Sequence, residues 1–108
     1  MNGILLVKQI EEFIKNSDER MTSNEISYLM LSNLTEACAD KKSIEDLISY
    51  AIFNGTMQVA SIAIGMAVQH ELEWAKNILG KFLKTSSGME FEKYNRDRVA
   101  NWRMLGVQ

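Results

Sequence analysis

The residues best equipped for chemistry are few and badly spaced for it. His70-Glu71-Leu72-Glu73-Trp74 begins like a zinc-protease helix, where two His four residues apart share one face and hold the metal. The second ligand position is Trp74, and the chain contains a single His. A carboxylate metal site built from Glu-x-x-His motifs on facing helices also needs two His. The acidic pairs Glu11-Glu12, Glu45-Asp46 and Glu71 with Glu73 stand one or two residues apart, which splays them around a helix. They read as solvated charges. Cys38 sits between Ala37 and Ala39 near an expected helix C-terminus, where the dipole disfavours a thiolate. One Cys gives neither an internal disulfide nor a Cys zinc site. The six Gly are scattered and form no phosphate-cradling loop. No catalytic residue, cofactor site or metal site is therefore assigned, and no enzymatic activity is expected.

What remains is a question of elements and surfaces. With 108 residues, 46% hydrophobic and 24% charged, the chain has the composition of one folded domain, expected over 1–108. It contains no Pro, the residue that most often breaks helices and punctuates loops. A net charge of -2 gives no global attraction to nucleic acid or an anionic membrane. No signal peptide, myristoylation or prenylation motif is seen, and a cytoplasmic location is expected. Residues 47–70 carry no formal charge and are long enough to span a bilayer. Asn54-Gly55-Thr56-Met57-Gln58 interrupts them with polar and helix-breaking groups, so two buried helices are expected there rather than a membrane span.

Periodicity predicts an all-α protein, a compact bundle of about five helices around an apolar central one. The expected helices cover about 3–17, 23–39, 44–54, 56–84 (with a possible break near 70) and 89–105. Thr22-Ser23-Asn24-Glu25 and Ser43-Ile44-Glu45-Asp46 have the capping-box pattern, and Lys41-Lys42 before the second reads as a short turn. Asn54-Gly55 suits a left-handed position after a helix end, with Thr56 capping the next start. Thr85-Ser86-Ser87-Gly88 reads as a loop, and Gly106 as a stop. The order helix, Asn-Gly, helix over 47–60 resembles the inner part of an ankyrin repeat. The Thr-Pro-Leu-His start is missing and no second copy lies 33 residues on, so a generic helical hairpin accounts for it equally well.

Two surfaces stand out as candidates for binding. From Thr56 to His70 the pattern is apolar nearly all round, with Gln58, Ser61, Gly65 and Gln69 as a narrow polar strip. Such a helix is either central to a core or part of an interface. A chain of this size buries only about two-thirds of its unfolded surface, so a second apolar face is surplus. Val59, Ile62 and Met66 on that face are the expected site of self-association or partner contact. The second candidate is the C-terminal helix, where Tyr94, Arg98 and Trp102 alternate aromatic and cation. From Lys84 to Gln108 there are five basic and three acidic residues. The stripe can dock on the core, with Arg98 on Trp102 and Glu92 bonded to Arg96, or it can meet a partner. The expected function is a protein–protein interaction module (an adaptor, inhibitor or regulatory subunit), acting as a homodimer. The alternative is a nucleic-acid-binding regulator that uses Arg96, Arg98 and Arg103 for phosphate contact.

Overall fold

A computed structural model describes residues 40–108. The helices expected over 3–17 and 23–39 lie outside the described residues. Within them the chain is all-α, with five helices and no strand. These are α1 (Lys41–Asn54), α2 (Met57–His70), α3 (Leu72–Phe82), α4 (Ser86–Tyr94) and α5 (Arg96–Met104). The fold class therefore holds; the first described helix is longer than the expected 44–54, and the expected segments 56–84 and 89–105 contain four helices between them. None of the described helices is long and apolar enough to cross a membrane. The chain divides into two compact units, Met1–Gly65 and Met66–Gln108, with the boundary inside α2.

In the first unit, the start of α1 is set by Asp40, whose carboxylate accepts the backbone N–H of Ser43 at 2.8 Å. That hydrogen bond is the main cause holding the Asp40 carboxyl below its ordinary pKa. Ser43 is therefore not the cap the sequence suggested. It is buried in the first turn, and Lys41 and Lys42 are helical rather than a turn. Leu47, Ile48, Ala51 and Ile52 form the buried stripe of α1. Gly55 ends the helix, its N–H donating to the Ala51 carbonyl at 3.0 Å. Its φ of -81° is extended, not left-handed. Glycine is needed there for room: a Cβ would stand 2.5 Å from the Ala51 carbonyl oxygen and 2.9 Å from Val59 Cγ1. Thr56 caps the next helix as expected, with Oγ1 accepting from Val59 N–H at 3.3 Å.

In the second unit, Glu71 separates α2 from α3 with extended dihedrals of -160° and 114°. This places the break within one residue of where the change of pattern suggested it. Ala75, Leu79 and Phe82 are the buried face of α3. The segment read as a loop at 85–88 is instead a helix start. Thr85 is the N-cap of α4, its Oγ1 accepting from Gly88 N–H at 3.0 Å while donating to the Phe82 carbonyl at 2.6 Å. The single hydroxyl thus serves both the end of α3 and the start of α4.

The helix expected over 89–105 is two helices. Asn95 breaks it, with φ -134° and ψ 44°, and its side-chain N–H donates to the Phe91 carbonyl at 2.9 Å. A short amide side chain that bonds the preceding turn competes with the helical backbone. The two helices it separates, α4 and α5, pack on each other. Gly106 has φ +107° and stops α5 in the left-handed region, as its type predicts.

Candidate interaction surfaces

The second unit is organised by an aromatic stack. Phe82 meets Phe91 edge-on at 5.8 Å between ring centroids, and Phe91 lies nearly parallel to Trp102 at 5.7 Å. All three rings are buried. Arg98 covers this stack, its guanidinium 5.4 Å from the Trp102 ring centre and 5.9 Å from that of Phe91. Partial burial draws the pKa of Arg98 below the ordinary arginine value. The docking arrangement read from the sequence is thus present for Arg98 and Trp102. The bond expected between Glu92 and Arg96 is not the principal one. Glu92 grips Arg103 through two hydrogen bonds of 2.6 and 2.9 Å, which tie α4 to α5 across the Asn95 break.

The Glu92–Arg103 pair gives a pH prediction. Its hydrogen bonds hold the Glu92 carboxyl below its ordinary pKa of 4.5, chiefly through Arg103, and raise that of Arg103. A carboxyl whose folded pKa is depressed contributes stability that is complete above its unfolded pKa and disappears as pH falls through the folded one. Both side chains are partly exposed, so the contribution at neutral pH is small. Glu92→Gln is expected to leave the melting temperature near pH 7 almost unchanged and to flatten its decline on acidification below about 4.5. Melting curves across that range that superimpose for the two proteins would contradict this role.

The break at Asn95 also explains where the rest of the stripe goes. Trp102 faces inward, whereas Tyr94 is 65% exposed. Met89, Met104 and Leu105 join it, at 61%, 85% and 54%. Four large apolar side chains within the last twenty residues are therefore open to solvent. Of the arginines considered for phosphate contact, Arg96 is exposed, Arg98 lies on the aromatic stack and Arg103 is held by Glu92.

A second feature of this unit lies on the polar side of α3. A recess of about 460 Å³ is lined by Lys76, Lys81 and Lys84, with Glu73 at one end and Gly80 opposite the main chain of Gly106 and Gln108. Lys76 pairs with Glu73 at 3.2 Å. The Cβ that Gly80 lacks would stand 2.8 Å from the Gln108 carbonyl oxygen. This recess was not anticipated from the sequence, where these lysines read only as the solvated face of an amphipathic helix. The spacing of Lys76 and Gly80, four residues apart on α3, is the signal that was present.

On α2 the two apolar faces inferred from the sequence merge into one buried arc. Val59, Ala60, Ala63, Ile64 and Ala67 are all buried. Val59, expected at an interface, is 0% exposed. Ile62 and Met66 are half-buried, and Met57 and Val68 are exposed. They share the accessible half of the helix with the polar strip at Gln58, Ser61, Gly65 and Gln69. His70 ends this helix and meets Trp74 edge-on at 5.9 Å, in the place a second zinc ligand would occupy. No known protein family, curated protein or solved structure matches the chain.

Proposed function

We propose that this chain is a non-enzymatic protein-binding module, acting in the cytoplasm as an adaptor, inhibitor or regulatory subunit. The observation that carries the reading is the exposure of Met89, Tyr94, Met104 and Leu105 beside a well-formed aromatic interior. The interior at Phe82, Phe91 and Trp102 does not need these side chains for its packing. Large apolar groups that gather into a patch in water mark a surface that another protein covers. Tyr and Met are also the residue types enriched at the centres of protein interfaces. Self-association belongs to the same proposal. Half-buried Ile62 and Met66 lie together at one edge of the accessible half of α2, which carries no charged side chain apart from His70 at its end, and a second copy would cover them.

Nucleic-acid binding is the weaker reading. Arg98 and Arg103 are engaged within the unit, which leaves Arg96 as the freest arginine of the three. A photo-crosslinking amino acid at Tyr94, with the chain expressed in its native cell, tests the main proposal. The expected result is a discrete protein adduct of reproducible mass. The same group at Met66 is expected to give a band near twice 12.3 kDa, from two copies of the chain. Illumination that produces no adduct from Tyr94 would remove the protein-binding reading.

A further inference from the structure

We propose that the lysine-lined recess on α3 receives an acidic peptide segment of a partner protein. This deepens the protein-binding reading above and rests on it. Lys76, Lys81 and Lys84 line one recess of about 460 Å³. Lys76 already has Glu73 as a partner, whereas the side chains of Lys81 and Lys84 have no ion pair with any described residue. Both are exposed, and among the side chains of the lining three lysines stand against the single carboxylate of Glu73.

The charge and size of the recess select the ligand. Lys76 and Lys81 belong to α3 and Lys84 follows two residues past its end, so the cations lie on both sides of that helix end. A recess of about 460 Å³ is larger than a single phosphate fills. A peptide with more than one carboxylate can meet several of these cations at once. The opposite wall is main chain: Gly80 has no side chain, and Gly106 and Gln108 close the recess from across it. Met104 and Leu105, both exposed, immediately precede Gly106. The complementary segment therefore combines Asp or Glu with an apolar residue that covers Leu105. Nucleic acid fits less well, because Glu73 shares the lining and the chain is acidic overall. Three lysines also make a small footprint for phosphate-driven binding.

The test is selection from a random linear peptide library on the intact chain, followed by titration of a fluorescent copy of one selected peptide. Selected sequences are expected to be rich in Asp and Glu with at least one large apolar residue. Affinity should fall with added salt. In Lys81→Glu/Lys84→Glu it should fall about tenfold or more, and in Lys81→Gln/Lys84→Gln by less. Both sites are exposed, so the variants should melt like the parent. Selected peptides without acidic enrichment, or with the same affinity for the charge-reversed chain, would overturn the proposal. A fluorescent oligouridine that binds more tightly than any selected peptide, and loses affinity in the charge-reversed chain, would replace the occupant with nucleic acid. Failure here is separable from failure of the broader reading. If the Tyr94 adduct forms unchanged in the charge-reversed chain, the recess is not the docking site but protein binding stands.

Discussion

Phe91→Ala is expected to destabilise the protein by about 3–5 kcal/mol. Phe91 is 1% exposed and touches both Phe82 on α3 and Trp102 on α5, two other buried rings. Removing it leaves a cavity between three helices and uncouples the two rings it joins. It also takes away one of the two aromatic faces beneath Arg98. A typical small protein has only about 5–15 kcal/mol in total, so the loss is a large fraction of that reserve. Phe91→Leu keeps much of the volume and should cost far less. Urea unfolding followed by tryptophan fluorescence is the measurement, since Trp102 sits in the affected stack. A loss under about 1 kcal/mol for Phe91→Ala would show that the stack does not hold the unit together.

Gly88→Ala makes two physical effects oppose each other. In a helix interior, Ala is favoured over Gly by about 1 kcal/mol. Propensity alone therefore predicts a more stable protein. Packing predicts the reverse. A Cβ on residue 88 would overlap the Phe82 carbonyl oxygen and stand 2.8 Å from Leu83 Cα. These are backbone atoms at the end of α3, not the tips of side chains that can turn aside. To relieve the clash the connection between α3 and α4 must move, which breaks the bonds that Thr85 makes to Phe82 and Gly88. Overpacking of this kind costs about 1–3 kcal/mol or more, so the net change is expected to be a loss of at least about 2 kcal/mol. Ser87→Ala, one residue earlier and exposed, should be nearly neutral. An increase in melting temperature for Gly88→Ala would mean that the two helices are not this close.

The helical class was legible because apolar residues recur at the helical period through most of the chain. The breaks were legible where residue type and pattern agreed, at Asn54-Gly55-Thr56 and near Glu71. They were missed where a continuous apolar stripe ran over a polar residue. Asn95 stands between Phe91 and Val99, which keep step with one helix, so only its competing amide marks the break. Thr85-Ser86-Ser87-Gly88 was misread for a related reason. Hydroxyl and Gly residues mark loops and helix starts alike, and the Thr85 hydroxyl bonds decide for the start. At Gly55 the residue type was informative but the reason was wrong, because close contact with Ala51 and Val59, not backbone handedness, requires it.

The binding surfaces were less legible than the fold. Exposure of Tyr94 follows from the Asn95 break, and the burial of Val59 from how the two apolar faces of α2 close into one arc. Neither could be read from spacing within a single helix. The lysines of α3 were visible as a polar face. Their convergence on one recess depends on Gly106 and Gln108, whose position opposite Gly80 is a tertiary feature.

On the proposed function, the exposed apolar side chains of the last two helices serve a partner and not the fold. The direct test is Met104→Glu/Leu105→Glu, with thermal melting and the Tyr94 photo-adduct measured on the same variant. The account predicts melting close to the parent's, because both residues are exposed, together with loss of the adduct. An adduct of undiminished yield, or a melting temperature that falls as it does for Phe91→Ala, would contradict it.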